Sequence, residues 1–375
     1  MKTQKRPALG LSTEESALLR QYRFDYNTFA SLRQDLVTGR FTPERNYITQ
    51  PLTPPEPDDL KPWPEGAEGA ACVQRGNEAL FSGEAATLIL NGGMATRFGG
   101  VVKGIVEALP GQSFLALKLL DLRSSAGPIF VLNSFATDAA TRAHLSTHDF
   151  FGLDPGRLQF IDQTISLRLQ PDGELFRDAT GRPSFYAPGH GDLFFSLATA
   201  TPFQRFRDAG GRYLLVSNVD NLGATVSAKV LGAHILRGNP VTCEVVKKQP
   251  GDRGGAPARI ADRLCIVEGF RTPPDFDSTQ LPVFNTNTFV IDVDAIQPDY
   301  PLTWFRADKM IENRDAVQFE RLLGEVTAFV PCTYLEVPRQ GQENRFLPVK
   351  TPEDLATLRP ALRARRDAQR EQEHA

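Results

Sequence analysis

In the first half of the chain, short runs of apolar residues alternate with longer segments in which apolar residues recur at the helical period. The apolar runs predict buried strands at residues 87–90, 128–133, 158–161 and 213–217. The periodic segments predict helices at residues 114–122, 138–148 and 196–209, the last with a break at Pro202. This alternation is typical of a parallel sheet covered on both faces, and ligands of such sheets bind beyond the carboxyl ends of the strands.

The segments before the first strand have a different pattern. Residues 12–36 predict one helix, because Ser12 and Glu15 fit a capping box and apolar residues follow at helical spacing. Residues 51–64 contain six prolines and predict an extended connector. A short helical lead-in is expected at residues 76–81.

In the second half, strands are expected at residues 241–247, 264–268 and 283–291, the last interrupted at residues 285–287. Helices are expected at residues 318–323 and after Lys350, where Thr351 can cap the helix. The charged tail, residues 359–375, predicts a solvated helix end or a frayed terminus. The chain thus divides into an N-terminal helix with a proline-rich strap (1–80), a main α/β domain (81–350), and a C-terminal helix with a charged tail (351–375).

Composition supports a folded protein and narrows its class. Of the 375 residues, 41% are hydrophobic, and the net charge of −3 gives no hint of a nucleic-acid partner. The four cysteines form no C-x-x-C pair, so neither a zinc site nor a disulfide framework is expected. No apolar signal region follows the basic start, and no run approaches the roughly 18 residues of a membrane helix. A cytoplasmic enzyme without a membrane partner is therefore the default expectation.

The first strand leads into a glycine turn, Leu90-Asn91-Gly92-Gly93, with Arg97 and Lys103 close behind. Glycines let the backbone bend against a ligand, and successive backbone N–H groups can form a nest for an anion. Together with the two cations, this arrangement suits the triphosphate of a nucleotide. A tight strand-to-helix turn with two surface cations explains the glycines equally well. Neither the G-x-x-x-x-G-K-[ST] nor the G-x-G-x-x-G pattern is present at this turn, which argues against a P-loop kinase and a dinucleotide dehydrogenase.

Other candidate residues follow later strands. Asp220 comes just after the strand at residues 213–217 and suits Mg²⁺, which commonly binds one or two carboxylates and completes its shell with phosphate oxygens and water. An Asx turn that caps the strand is the alternative, and the residue alone favours it. A glycine-spaced loop presents His190 and Asp192, although a lone histidine in a loop is more often incidental. Lys350 alone indicates only a surface lysine. No arrangement suggests a covalent nucleophile.

Taken together, these stretches resemble the UTP–glucose-1-phosphate uridylyltransferases, within the wider UDP-sugar pyrophosphorylases. Six matching stretches appear in the family's order and spread over about residues 75–355: residues 90–93, 133–138, 188–192, 216–226, 284–287 and 345–351. The resemblance implies a Rossmann-like nucleotidyltransferase (GT-A-like) α/β fold, with a mixed, mostly parallel central sheet covered by helices. It also implies that residues 81–350 form the catalytic domain.

The resemblance also implies residue roles. Leu90, Asn91, Gly92, Gly93 and Asn218 would hold the nucleotide, and Gln163 and Gly189 would meet its uracil. His190 would contact the sugar phosphate, and Gly255, Glu268, Asn285 and Asn287 would meet the sugar hydroxyls. Asp220 would bind the Mg²⁺ cofactor, and Arg97, Lys103 and Lys350 would neutralise the phosphates. In the family, an oxygen of the sugar 1-phosphate attacks the α-phosphorus of UTP in line, and pyrophosphate leaves. Lys103 and Lys350 are expected to converge, and Asp220 is expected at a solvent-facing strand end.

The sequence also departs from the family. Ala95 replaces the usual second glycine of the loop, Arg97 stands where glucose-specific members often have a smaller polar residue, and Val102 precedes Lys103 where proline is usual. The register of this lysine can therefore shift by one residue. The chain stops soon after Lys350, so the carboxy-terminal β-helix of eukaryotic relatives is expected to be absent. The oligomeric state stays open, a monomer included.

Two alternatives to the glucose enzyme follow. One is an N-acetylhexosamine-1-phosphate or broad-specificity pyrophosphorylase, in which the matching loop usually carries Asn and Gly where this chain has His190 and Asp192. The other is a catalytically idle sugar-nucleotide-binding protein, which would have no need of both Asp220 and Lys350. UTP and glucose-1-phosphate are therefore the expected substrates.

Overall fold

The computed structural model describes residues 9–95, 98–252 and 254–374. The helices are α1 Thr13–Gln21, α2 Tyr26–Val37, α3 Gly66–Ser82, α4 Phe114–Asp121, α5 Asp138–Thr147, α6 Leu193–Ala198, α7 Thr201–Asp208, α8 Ala228–Arg237 and α9 Pro352–His374. The strands up to the middle of the chain are β1 Leu52–Thr53, β2 Leu60–Lys61, β3 Ala85–Leu90, β4 Met94–Ala95, β5 Val101–Val102, β6 Glu107–Leu109, β7 Gln112–Ser113, β8 Ile129–Asn133, β9 Leu158–Asp162, β10 Ser166–Leu167, β11 Phe185–Tyr186 and β12 Tyr213–Asn218. The later strands are β13 Val241–Lys247, β14 Ala256–Ile260, β15 Arg263–Val267, β16 Val283–Asp292, β17 Phe305–Ile311, β18 Arg314–Glu320 and β19 Cys332–Glu336.

A central sheet of eight strands organises the part of the chain that the structure describes. Its strand order is β2, β19, β13, β16, β12, β3, β8, β9. β16 runs antiparallel to both of its neighbours, and the other pairs are parallel. The expected mixed, mostly parallel sheet is therefore confirmed. Asn218 lies in register with Leu90, and Leu90 with Leu132, so the strand ends that precede the candidate loops meet at one edge of the sheet.

Helices bury both faces of this sheet, which explains why its strands are apolar without alternation. All five residues of β8 are buried. Leu88 and Leu90 join the core on the face covered by α6 and α7, whereas Ile89 joins the core on the face covered by α4 and α9. Successive side chains of β3 point to opposite faces of the sheet, so this one strand contributes to the core on both faces.

A close helix pair, α3 and α8, packs beside the sheet. A side-chain carbon at Gly76 would lie 1.9 Å from the carbonyl oxygen of Ala228, and one at Gly232 would lie 1.8 Å from that of Cys72. The two backbones therefore touch, and only glycine fits at these two positions. The expected lead-in helix at residues 76–81 proves to be the end of this longer helix α3.

The N-terminal helices form a core of their own against the main domain. Leu19, Phe29 and Leu36 pack with Ile165 and Phe319 of later segments. The prediction of one helix over residues 12–36 is wrong, because the chain turns between α1 and α2 at Arg23, whose φ is 54°. The capping box at Ser12 is confirmed, and Asp25 caps α2.

The second half corrects two further expectations and refines a third. Residues 318–323 are not helical, because β18 pairs along its whole length with β17 and a 3₁₀ turn begins only at Leu323. The strand β14 was not predicted, although it pairs antiparallel with β15 along its whole length. The expected interruption at residues 285–287 is a bulge within the continuous strand β16, because the register against β13 shifts between Glu244 and Val245 and skips Thr286 and Asn287.

Two helix boundaries are confirmed. The helical segment around residues 196–209 breaks before Pro202, which sits in the first turn of α7. The Thr351 hydroxyl accepts a hydrogen bond from the Asp354 backbone N–H at 3.1 Å and so caps α9. Of the two expectations for the tail, the helix end is confirmed, because α9 extends as far as His374; Leu362 of that helix is buried in the core. Within the described residues, none of the helices combines the length and the apolarity that crossing a membrane requires.

Candidate functional site

A cleft of about 300 Å³ opens at the carboxyl edge of the parallel strands. Most of the candidate residues line it, together with side chains that the sequence analysis did not single out. Its lining residues are Leu90, Gly92, Gly93, Lys103, Leu132, Gln163, Ala187, Gly189, His190, Asn218, Val219 and Asp220. Residues from four different strand ends therefore face one space.

The glycine turn after β3 forms one wall of the cleft. A side-chain carbon at Gly92 would lie 2.1 Å from Oε1 of Gln163, so the turn and this glutamine can approach only because Gly92 has none. The Ser134 hydroxyl donates to the Gly92 carbonyl at 2.8 Å and fixes the turn from behind. Gln163 in turn donates to the Gly189 carbonyl at 3.0 Å.

Asn91 lies beneath this wall. It is completely buried, and its amide nitrogen donates to Asn133 at 2.8 Å and to the Thr141 hydroxyl at 2.9 Å. Its side chain therefore fastens the turn to β8 and α5 and does not line the cleft. Any contact with a ligand in the cleft would have to come from its backbone.

The Asp220 carboxylate sits between two ammonium groups. Lys103 and Lys350 both donate to its Oδ2 atom, the latter at 2.9 Å. The expected convergence of the two lysines is thus confirmed, although Asp220 lies 117 residues from one and 130 from the other. Asp220 is only 5% exposed, so the prediction of a solvent-facing position is wrong. The reason is that the side chains of Lys103 and Lys350 both contact its carboxylate and cover it.

Burial and charge act on this carboxyl group in opposite directions. Burial favours the neutral acid, but Lys350 and Lys103 outweigh it and hold the pKa of Asp220 below its usual value. Asp220 is therefore ionised at neutral pH. The cleft therefore carries one carboxylate with two ammonium groups hydrogen-bonded to it.

His190 faces the same space as a neutral hydrogen-bond donor. Its Nδ1 atom accepts a hydrogen bond from the Leu323 backbone N–H at 2.9 Å. Burial lowers the pKa of His190 to about 4, so the ring is neutral at pH 7. A neutral imidazole carries one proton, which must then sit on Nε2. The ring can donate from Nε2 toward a bound anion without adding charge.

The loop that carries His190 is clamped by the segment after β18. Gly189 has a φ of 85°, and a side-chain carbon there would lie 2.4 Å from the Arg321 carbonyl oxygen. The Arg321 guanidinium pairs with Asp192 at 2.6 Å, and Asp192 also accepts from the Thr164 backbone N–H at 2.7 Å. Asp192 is completely buried, so it holds the loop rather than offering its carboxylate to a ligand.

The four residues expected to meet the sugar form a second cluster. A side-chain carbon at Gly255 would lie 2.8 Å from Oε1 of Glu268, and the Asn285 backbone N–H donates to the Gly255 carbonyl at 2.8 Å. The Asn287 amide donates to Oδ1 of Asn218 at 3.0 Å, which joins this cluster to the cleft. Burial raises the pKa of Glu268 to about 7. The four residues therefore lie beside the cleft and are not among the residues that line it.

One candidate, Arg97, lies outside the described residues. Conversely, sequence reasoning missed Arg321 and Leu323, which fix His190 and Asp192. No local pattern marks them, because they lie about 130 residues later and were expected to be helical. The polar and charged loops gathered at the carboxyl edge of a mostly parallel sheet define an α/β protein with a ligand-binding cleft at that edge.

Comparison with known proteins gives the family. The chain matches the UTP–glucose-1-phosphate uridylyltransferase family over residues 58–373 and belongs to it. It is 29% identical to the enzyme of that name from Encephalitozoon cuniculi over 291 residues, which cover 72% of this chain and 57% of that protein. It is 27% identical to the Hordeum vulgare enzyme over 327 residues, which cover 81% of this chain and 66% of that protein. The chain thus spans less than two thirds of the length of these relatives.

Solved structures show the same fold. A uridine diphosphate N-acetylglucosamine pyrophosphorylase from Trypanosoma brucei superposes with a TM-score of 0.75 at 19% identity, over 94% of this chain and 80% of that one. A variant of the Leishmania major UDP-glucose pyrophosphorylase, solved with UDP-glucose, superposes with a TM-score of 0.71 at 22% identity, over 93% and 79% of the two chains. The expected Rossmann-like fold is confirmed by these neighbours.

Proposed function

We propose that the protein is a uridylyltransferase that forms UDP-glucose and pyrophosphate from UTP and glucose-1-phosphate. The observation that carries the proposal is the cleft lined by a glycine turn, Lys103 and Asp220, in which the Asp220 carboxylate also accepts a hydrogen bond from Lys350. Family membership supports the reaction, and the charges supply what it needs. Nucleotidyl transfer depends on positioning and charge neutralisation rather than on a protein nucleophile.

The donor set fits a magnesium ion that arrives with the nucleotide. Among the described residues, no group of three or more His, Cys, Asp or Glu side chains could hold a metal ion by itself. The single carboxylate of Asp220 suits Mg²⁺, because this ion commonly uses one or two carboxylates and takes its other ligands from phosphates and water. When bound, the ion would neutralise charge on the phosphates.

The residues of the chain would divide the remaining work. Lys103 and Lys350 would exchange Asp220 for phosphate oxygens when the nucleotide binds. His190 would donate a hydrogen bond from Nε2 to the sugar phosphate. Gln163, which lies beside Gly92, would contact the uracil base. An oxygen of the sugar phosphate would form the new bond to the α-phosphorus as the bond to the β-phosphate oxygen breaks. Pyrophosphate would leave with both electrons of that bond, beside the two lysines.

The test is pyrophosphate release from a panel of nucleotides and sugar 1-phosphates, with and without Mg²⁺. We expect UTP with glucose-1-phosphate to give the highest kcat/KM, and chelation of the metal to abolish turnover. If no nucleotide and sugar 1-phosphate pair is turned over, the proposal of an enzyme is wrong and the hypothesis of a non-catalytic sugar-nucleotide-binding protein is favoured.

A second candidate is an N-acetylhexosamine-1-phosphate uridylyltransferase, which the fold neighbour from Trypanosoma brucei favours. The glucose form is preferred because His190 lines the cleft, and Glu268, Asn285 and Asn287, whose side chains suit sugar hydroxyls, cluster beside it. A site built to bind a hydroxyl discriminates well, because a substituted sugar leaves buried polar groups unpaired. A ratio of kcat/KM near or below one, for glucose-1-phosphate against N-acetylglucosamine-1-phosphate, would instead select the second candidate.

A further inference from the structure

The loop that carries Asp220, residues 219–226, is held by cationic side chains from outside it. Four consecutive carbonyl groups of this Asp220 loop accept hydrogen bonds from three such residues. Arg365 donates to Leu222 at 3.3 Å and to Gly223 at 3.4 Å, Lys118 donates to Ala224 at 2.6 Å, and Arg345 donates to Thr225 at 3.1 Å. The cations come from α4, from the segment before Lys350, and from α9.

Two of these cations form a buried floor. Lys118 is 6% exposed and also donates to the Ser217 hydroxyl at 3.1 Å, so it joins both ends of the loop. Arg345 is equally buried and forms two hydrogen bonds to Glu244, at 2.6 and 2.7 Å. Both side chains are thus committed to the core beneath the loop.

Arg365 makes a different connection. Its second terminal nitrogen donates to the carbonyls of Gln342 at 3.2 Å and Asn344 at 2.6 Å. Those residues begin the segment that ends at Lys350. One guanidinium therefore joins the Asp220 loop to the chain segment that delivers Lys350.

Backbone hydrogen bonds continue this connection into the cleft. The Leu222 N–H donates to the Leu347 carbonyl at 3.1 Å, and the Val349 N–H donates to the Asp220 carbonyl at 2.9 Å. The two segments run side by side from Arg365 up to the contact between Asp220 and Lys350. A shift at the base of this pair would move both functional side chains.

We propose that Arg365 of the C-terminal helix is a positioning residue that sets the separation of Asp220 and Lys350. The inference rests on the proposed function, in which Asp220 takes the cation and Lys350 the phosphates. Arginine suits the position because its two terminal nitrogens donate to two carbonyls in each segment. A lysine has a single nitrogen and could not bridge the two segments in this way. Without it, those partly buried carbonyls lose their partner.

The test compares Arg365→Gln with Arg363→Gln in the full chain. Arg363 is exposed on the same helix, so its substitution makes the same change of charge and side chain without touching the loop. Hydrogen exchange of residues 219–226 and 342–350 is measured in the ligand-free protein, and the half-saturating Mg²⁺ concentration is measured at fixed UTP. A further variant, Arg365→Lys, keeps the positive charge but loses the two-pronged guanidinium that bridges the segments.

We expect Arg365→Gln to raise exchange in the two segments at least about fivefold and to raise half-saturating Mg²⁺ by about three- to tenfold. Arg365→Lys should restore only part of both, and Arg363→Gln should match the wild type. Unchanged exchange and Mg²⁺ dependence in Arg365→Gln would overturn the inference. So would a uniform rise in exchange across the sheet, because that result indicates general packing. If the wild type releases no pyrophosphate from any pair, the proposed function fails, whereas the exchange comparison still decides whether Arg365 holds the two segments.

Discussion

Asp220 is the carboxylate that partly neutralises the two lysines of the cleft. Its carboxylate accepts hydrogen bonds from both Lys103 and Lys350, and it is almost completely buried. Asp220→Asn is preferred to Asp220→Ala, because it removes the charge but keeps the shape of the side chain and one acceptor oxygen for the two lysines. We expect Asp220→Asn to lower kcat at least about 100-fold, because the cation loses its protein ligand.

This prediction is checked by initial rates over a range of Mg²⁺ concentrations, with circular dichroism as the control for folding. Near-normal turnover at limiting Mg²⁺ would show that Asp220 does not bind the metal.

Lys350 tests the phosphate assignment separately. Removing a charge-assisted contact to a developing charge costs about 2–4 kcal/mol, so Lys350→Ala should lose roughly 10²–10³ in kcat. Lys247→Ala is the matched control, because that lysine is 79% exposed in its side chain and pairs only at the surface with Glu336. Equal effects of the two substitutions on steady-state kcat would contradict the assignment.

Glu268 gives the cleft a pH dependence. Burial raises its pKa to about 7, so its carboxyl group is mostly neutral below pH 7 and ionised above it. An ionised carboxylate accepts hydrogen bonds from sugar hydroxyls, so KM for glucose-1-phosphate should fall as the pH rises from about 6 to about 8. The pH profile of KM should flatten in Glu268→Gln, and a profile unchanged by this substitution would remove Glu268 from the sugar site.

The same shift has a consequence for stability. The folded protein keeps a proton on Glu268 that the unfolded chain releases, because the folded pKa lies above the ordinary value of 4.5. The contribution of Glu268 to the free energy of unfolding is therefore present at low pH and is lost as the pH rises toward about 7.

Among the elements, the contact between α3 and α8 leaves the least room for change. Gly76→Ala would place a methyl group 1.9 Å from the Ala228 carbonyl oxygen, so the helices would have to separate. Overpacking of this kind costs about 1–3 kcal/mol, which exceeds the gain in helix propensity of about 1 kcal/mol. Thermal unfolding should show a lower midpoint for Gly76→Ala than for Ala71→Ser, a substitution at an exposed position of α3. Equal midpoints would mean that the contact relaxes freely.

The elements of the central sheet were predictable because local pattern and tertiary role agree there. The strand around Leu88 is apolar except for Thr87, since both of its faces are largely buried. The prediction failed where tertiary contacts decide the structure. Phe319 lies in a run that reads as helical, but pairing with β17 makes it a strand. The turn at Arg23 has a left-handed backbone conformation, and because this residue is not a glycine, the sequence does not indicate the turn.

For the molecule as a whole, the site could be predicted only in pieces. The sequence around the glycine turn and around Asp220 indicates a binding site. Nothing in the sequence around Lys350 does so, and this residue was identified only through the family resemblance. The link between Asn218 and Asn287 spans 69 residues of sequence, and that between Leu323 and His190 spans 133. Single-sequence patterns contain no information on such pairings, so the clamp on the histidine loop emerges only from the fold.

The arrangement of one carboxylate between two ammonium groups leaves the ligand-free cleft with one excess positive charge from Lys103, Asp220 and Lys350. Such a cleft attracts a polyanion over long range and repels a bare divalent cation, so the metal should enter as a complex with the nucleotide. Because ions screen this attraction, raising the salt concentration from about 0.05 M to about 0.5 M should slow nucleotide association severalfold in stopped-flow measurements. Dissociation, governed by short contacts, should change far less. At physiological ionic strength, the protein would therefore capture its nucleotide more slowly than dilute-buffer kinetics imply.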